Sequence, residues 1–309
     1  MALVNGHEQN YISIADRGLA YGDGLFETIA WTGKYLHLWA RHWHRLKEGA
    51  QRLQIKLPDE QQVLTQIKTL IAAQNRSQAS YQMARVVKLI LSRGSGGRGY
   101  RLPDSPEPQL IITLHPWPER EDSDYQQGIR VRVCHTMLSA QPVLAGLKHL
   151  NRLEQVMAAS ELTDTCYMEG LMLEFSTADH LQRQTVIEGI SSNVFFVREG
   201  QLHTPEIRHS GVNGTIRCEL LEYAKKRGIQ VQTGVYSLQD MMDAEEVFFS
   251  NSIFGILPVR QIDYPDYTSH CIPNNIQSVS KYYNQRKLST LLAQNINQVL
   301  QRPCQFNEL

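Results

Sequence analysis

Apolar and polar residues alternate with two different periods along this chain, and the changes of period mark its elements. Met1–Gly6 is a short apolar run ending at a turn, and Tyr11–Ala15 alternates as a second strand. A glycine-rich run, DRGLAYGDG, follows. Leu25–Trp31 and Lys34–Leu38 then pattern as a hairpin around Thr32 and Gly33. From Trp39 the period lengthens: Leu46, Ala50 and Leu53 lie four and three apart, the spacing of one helical face. Val63–Ala73 repeats that period above a face of Gln and Lys. Met83–Ser92 is β-branched and apolar, a buried strand that opens into the loop RGSGGRGY. Gln109–Leu114 is the next strand.

The stretch His115–Gln126 is polar and carries prolines, so it predicts a linker. Domains are accordingly expected at 1–117 and 127–309, with 118–126 between them. Beyond it, Ile129–Cys134, Glu169–Glu174 and Asn193–Val197 pattern as strands, with a polar loop at 176–184. Arg152–Leu162 and Ile216–Arg227 pattern as helices, the second closed by Gly228. Glu246–Ser250 and Gly255–Val259 are expected as the last strands, and residues 281–301 as a helix with Leu288, Leu291, Leu292 and Ile296 on one face. No internal repeat is visible.

Composition narrows the function. Hydrophobic residues make up 42% of the 309 and charged residues 20%, ordinary values for a globular protein with a real core. The 31 basic and 31 acidic residues cancel, which disfavours nucleic acid as the main partner and favours a small-molecule substrate. Cys134, Cys166, Cys218, Cys271 and Cys304 are scattered and odd in number, so neither a disulfide scaffold nor a zinc knuckle is expected. No run approaches the roughly 18 apolar residues of a membrane span. The first residues lack the basic flank and apolar core of a signal peptide, so a cytoplasmic protein with no membrane partner is expected.

Several side chains invite chemistry. Lys148 lies among Leu144, Leu147, Leu150 and Leu153, and burial of a lysine disfavours its charged form, as a Schiff-base amine requires. Taken alone, it is more simply a lysine at a helix start that reaches water along its stem. Glu188 stands in VIEGISSN, where a shielded carboxylate suits a pyridine nitrogen; an ordinary turn glutamate fits the same letters. Gly214-Thr215-Ile216 opens a helix, whose free amides favour an anion. Ser252 adds a hydroxyl after a buried strand, and Arg45 a cation near the start of the first helix. Arg93 and Arg98 sit on a glycine frame that suits a substrate carboxylate. An RGG-type RNA contact shares those letters, but one copy in a neutral chain argues against it. His37, His42 and His44 suggest a metal only by proximity; His42 and His44 point to different sides of a helix.

Seven segments occur in an order that resembles the class IV pyridoxal-phosphate aminotransferases. They are SIADRGLAYGDGLFET, HWHRL, SRGSGGRGY, LAGLKHLNRLEQV, VIEGISSNVFF, GVNGTIR and SNSIFGILPV, and the resemblance spans roughly Leu3 to Val259. SRGSGGRGY and LAGLKHLNRLEQV look most like the lyase branch of that family. The resemblance implies an α+β chain of two domains, fold type IV: an N-terminal α/β sandwich-like domain and a C-terminal β-barrel-like domain with helices. It implies pyridoxal 5′-phosphate as cofactor and a homodimer. It also implies conversion of 4-amino-4-deoxychorismate to 4-aminobenzoate and pyruvate, a step of folate biosynthesis. A branched-chain or D-amino acid aminotransferase is the alternative.

By the same resemblance Lys148 matches the cofactor lysine and catalytic base, and Glu188 the partner of the pyridine nitrogen. Arg45, Thr215, Ile216 and Ser252 match the phosphate cradle. Arg152 falls where some relatives carry a tyrosine near the cofactor oxygen. Phe26, Arg93 and Arg98 are expected against the substrate. The loop FSTADHLQRQT is longer than the usual turn, and the tail after about Asp266 matches no motif.

Overall fold

The computed structural model describes residues 2–77, 84–164, 166–175, 184–265, 278–284 and 287–300. The chain forms two compact units: Met1–Glu119 with Leu147–Asn151, and Arg120–Gly146 with Arg152–Val299. The division falls inside the expected linker, yet that stretch is not bare loop, since Asp122–Gln127 forms a helix (α4). Lys148 was expected with the C-terminal domain and instead lies in a segment that returns to the first unit.

In the first unit, the described residues build an antiparallel sheet. Its strands are β1 (Ala2–Val4), β2 (His7–Glu8), β3 (Gly24–Trp31), β4 (Arg85–Ser92) and β5 (Gln109–Pro116), in the order β2-β1-β5-β4-β3. Helices α2 (Trp39–Arg52) and α3 (Glu60–Ser77) supply the apolar faces that cover it. Val63, Ile67 and Leu70, spaced four and three apart, are fully buried with Ile29, Leu89 and Ile112. Each such side chain contributes about 1.5–3 kcal/mol by leaving water.

Two expectations fail here. Tyr11–Ala15 is not a strand: Tyr11 is 74% and Ile14 92% exposed, so alternation without a partner face does not make a ladder. The glycine-rich run after it contains a short helix, α1 (Arg17–Tyr21). Asp16 caps it by accepting from the Gly18 and Leu19 amides, and Gly22 ends it at φ 65°, where a side chain would be strained. Lys34–Leu38 forms no hairpin arm beyond one bridge from Leu36 to Trp31, because Leu38 already turns (φ 47°) into α2.

In the second unit, the described strands are β6 (Ile129–Val133), β7 (Tyr167–Phe175), β8 (Gln184–Gly189), β9 (Asn193–Arg198), β10 (Gln201–Pro205), β11 (Val231–Gly234), β12 (Glu246–Asn251), β13 (Gly255–Pro265) and β14 (Ser278–Tyr282). They run in the order β11-β10-β9-β12-β13-β6-β7-β8. A pairing of Glu188 with Asn193 joins β8 back to β9, closing β9-β12-β13-β6-β7-β8 into a barrel. That closure is a single residue pair; further along the β8 edge the Val186 amide donates to the Tyr236 carbonyl instead. Val131, Leu171, Leu173, Phe196 and Phe249 fill its core. Helices α5 (Leu153–Ser160), α6 (Thr215–Arg227), α7 (Leu238–Met242) and α8 (Lys287–Leu300) complete the unit.

The tail begins as strand β14 rather than as helix, and α8 starts at Lys287. The buried Glu246 carboxylate receives the Leu288 and Ser289 amides and the Ser289 hydroxyl, which anchors that helix start. The expected loop at 176–184 lies outside the described residues except for Gln184. Cys134, Cys166 and Cys218 are free thiols. Burial pushes the Cys134 thiol up to about 12.

Candidate active site

Lys148 is not at a helix start. Its segment lies in extended form along β3: the Phe26 amide donates to the Lys148 carbonyl at 2.9 Å, and the Leu150 amide to the Gly24 carbonyl at 3.0 Å. Leu147 is buried with Leu25, Leu46 and Leu91 and pins the segment from below. Leu153 is 72% exposed, so the apolar enclosure expected from the four flanking leucines is only partial. Lys148 is half-buried, and its Nζ lies 4.4 Å from the centroid of the Phe26 ring. Phe26 therefore serves as a floor for the lysine, an attraction between cation and ring face.

On β3 and α2 a polar cluster lies inside an apolar layer. Glu27 is 1% exposed, and its carboxylate accepts from Arg45 Nε at 2.8 Å, from Arg45 Nη2 and from His42 Nδ1 at 2.6 Å. His42 and Arg45 reach it together because residues three apart share a helix face. Burial alone would raise the Glu27 carboxyl, but Arg45 and His42 outweigh it and bring it down to about 2. Burial also lowers His42, with Arg45 and Lys148 adding to the effect against Glu27. A neutral imidazole then contributes a hydrogen bond, and Arg45 is the counter-charge.

The glycine-rich loop corrects one expectation. Arg93 is 4% exposed, and its guanidinium donates to both Asp23 carboxylate oxygens and to the carbonyls of Leu53 and Gln54. It is a clamp between loops, not an arm toward substrate. Arg17, missed in the sequence, is the other half of that clamp. It donates to Asp23 at 2.9 Å and to the Gly99 carbonyl at 3.1 Å, so it ties down the loop that carries Arg98. Arg98 itself is exposed. Gly94, at φ 84°, allows this path, since a Cβ there would lie 1.8 Å from the Glu107 carbonyl oxygen.

The second unit holds the remaining residues. Glu188 is 4% exposed at the barrel closure. Its Oε2 accepts from the Val212 amide at 2.8 Å and from Asn193 Nδ2 at 3.4 Å, while Asn193 also donates to the Val212 carbonyl. The loop leading into α6 is thus tied to the carboxylate. Gly214 is the N-cap of α6, and no side chain among the described residues caps that end. Thr215 and Ile216 are buried in its first turn, so their amides stand where a helix favours an anion. Ser250 pairs with Asn193 across β12 and β9 and shares its face. It is 1% exposed, and its Oγ has no hydrogen-bond partner among the described residues. Ser252 lies two residues on, in the turn from β12 to β13, where Asn251 Oδ1 accepts from the Ile253 and Phe254 amides.

Two supporting residues escaped the sequence. Arg217 is 7% exposed and donates to Asn213 Oδ1 at 3.1 Å and to the Pro205 carbonyl at 3.0 Å, bracing the approach to α6. Glu169, raised by burial, accepts from the Ser191 and Ser192 hydroxyls at 2.9 and 2.8 Å and fixes the turn between Glu188 and Asn193. Arg217 closes the segment GVNGTIR without being singled out there, and Glu169 lies in none of the quoted segments. Arg152 is the N-cap residue of α5.

The predicted residues therefore fall in two sets. Phe26, Arg45, Arg93, Lys148 and Arg98 belong to the first unit, and Glu188, Thr215, Ile216 and Ser252 to the second. As a donor set they fit a phosphorylated pyridine aldehyde: an amine for the carbonyl, a buried carboxylate for the ring nitrogen, and an arginine, uncapped helix amides and hydroxyls for the phosphate. The buried, unpartnered Ser250 hydroxyl is the observation that most calls for such a ligand.

Comparison with known proteins agrees with this chemistry. The family model for amino-transferase class IV matches residues 24–262. An aminodeoxychorismate lyase from Vibrio harveyi is 36% identical over 266 residues, which cover 86% of this chain and 93% of that protein. A D-alanine aminotransferase from Listeria monocytogenes is 26% identical over 269 residues, covering 84% and 87%. Among solved structures, the 4-amino-4-deoxychorismate lyase from Pseudomonas aeruginosa matches with a TM-score of 0.82 and 38% identity, covering 96% of this chain and 98% of that one.

Proposed function

The chain belongs to the amino-transferase class IV family, and on that premise we propose that it is a pyridoxal 5′-phosphate-dependent lyase that converts 4-amino-4-deoxychorismate to 4-aminobenzoate and pyruvate. The observation that carries this reading is the likeness to two such lyases, at 36% and 38% identity over 86% and 96% of the chain. When bound, the cofactor supplies an aldehyde that condenses with amines and a ring that accepts an electron pair.

The chain's own residues do the rest. Lys148 offers the amine that holds the cofactor, and that amine takes the proton from the amine-bearing carbon of the substrate. The electron pair left behind by that proton expels the enolpyruvyl oxygen, the six-membered ring becomes aromatic, and the departing enolpyruvate takes up a proton on its methylene carbon to become pyruvate. Glu188, held by Val212 and Asn193, would keep a proton on the cofactor's ring nitrogen. By the family resemblance, Arg45, the Thr215 and Ile216 amides and Ser252 are the groups that would hold the phosphate. Arg98, on the loop fastened by Arg17, is the side chain offered to a substrate carboxylate.

A lyase needs no keto acid. Purified protein given 4-amino-4-deoxychorismate alone is expected to release 4-aminobenzoate and pyruvate in equal amounts. Turnover only of D-alanine or leucine with 2-oxoglutarate would assign the chain to the aminotransferases instead. We also propose a homodimer working in the cytoplasm. No helix among the described residues is long and apolar enough to cross a membrane. Sedimentation equilibrium is expected to return about twice the 35.3 kDa chain mass, and a single chain mass would refute the dimer.

A further inference from the structure

The row of β3 side chains that faces α2 is apolar except at one position. Leu25 is 2% exposed, Glu27 1% and Ile29 0%, three residues on one strand face by the period of two. A carboxylate buried in such a row loses its hydration, and an apolar residue of similar volume would suit the core better. Its three hydrogen bonds show what it does there. Two go to one arginine: Glu27 Oε1 takes Arg45 Nε and Oε2 takes Nη2, while the same Oε2 receives His42 Nδ1. This two-point grip fixes the plane of the guanidinium, because Nε and Nη2 form one edge of a rigid fork. The Arg45 side chain is 10% exposed, so it is already ordered by its surroundings and not swinging in solvent.

We infer that Glu27 is a positioning residue for the cofactor phosphate: its two-point grip fixes the plane of the Arg45 guanidinium, the cation that is to meet the anion. This rests on the reading of Arg45 as a phosphate ligand. His42 is the second brace. Burial keeps it neutral, and as a donor through Nδ1 it holds the carboxylate without competing for the anion.

The test separates phosphate from ring. Apoprotein of the full chain is titrated with pyridoxal 5′-phosphate and, separately, with pyridoxal, which lacks the phosphate; binding is followed by equilibrium dialysis. Glu27→Gln keeps the shape and removes the charge. It is expected to weaken pyridoxal 5′-phosphate by about 10–100-fold, the usual effect of losing a residue that orients a ligating group, with pyridoxal unchanged. Glu27→Asp, which keeps the charge on a shorter arm, is expected to show the same selective loss to a smaller degree, and it carries the test if the glutamine variant does not fold. Equal loss for both ligands would make Glu27 a residue of the core only and would overturn the proposal, as would no loss for either. Arg45→Gln is the arm that reads the premise. If it too fails to distinguish the two ligands, the phosphate role of Arg45 falls and the proposal with it. If Arg45→Gln distinguishes them and Glu27→Gln does not, only the proposal falls.

Discussion

Replacing Lys148 with alanine is expected to leave a folded, colourless protein whose lyase turnover has fallen by at least about 10³-fold, the loss of a general base compounded by loss of the covalent anchor. The fold should survive because the segment is held by groups the substitution leaves intact. Its carbonyl still accepts from Phe26, Leu150 still donates to Gly24, and Leu147 stays in its apolar cluster. What disappears is the half-buried amine over the Phe26 ring. Thermal melting, the visible spectrum in the presence of pyridoxal 5′-phosphate and initial rates check the three parts separately. An alanine variant that keeps full turnover would end the proposed mechanism.

Glu188→Gln should have the next largest effect, a fall in kcat of about 10²–10³-fold, the scale seen when one preorganised electrostatic partner is removed from an active site. The amide can replace the carboxylate oxygen that accepts from Val212 and Asn193, so barrel closure is preserved. It has no negative charge with which to hold a proton on a pyridine nitrogen. Cofactor affinity is therefore expected to change less than kcat, and a variant turning over at the parent rate would remove Glu188 from the chemistry. Circular dichroism of the variant, unchanged from the parent, is the control for folding.

These two residues also measure how far the sequence reached. Lys148 and Glu188 are legible because they stand in ordered segments, and the barrel strands around Glu188 are legible because continuous apolar runs such as VFFV admit few other structures. The place of Lys148 was not legible: its leucines pattern as a helix start, whereas the chain uses them to dock an extended segment on β3. That docking depends on a partner more than a hundred residues away, beyond the range of any periodic signal. Arg93 failed for a related reason. A glycine frame says that a loop can bend, not which arginine it turns inward. Asp23 and two carbonyls decide for Arg93, and Arg98 is left outside. Tyr11–Ala15 has the alternation of a strand and lacks a neighbour to pair with. Glu27 lies in the segment SIADRGLAYGDGLFET but nothing in those letters marks its role; it is conspicuous only as a charge in an apolar row, and its meaning appears once α2 brings His42 and Arg45 to it.

The return of residues 147–151 to the first unit bears on how such a gene can be rearranged. A cut between Glu119 and Arg120 looks like a natural place to exchange one half of the coding sequence for that of a relative. It would seat on β3 a segment from the other parent: the backbone bond from the Phe26 amide to the carbonyl at 148 does not depend on the side chain, but the packing of Leu147 on Leu25, Leu46 and Leu91 does. A chimera joined at that boundary is therefore expected to keep this packing best when residues 147–151 come from the same parent as residues 1–119, although they are encoded inside the other half.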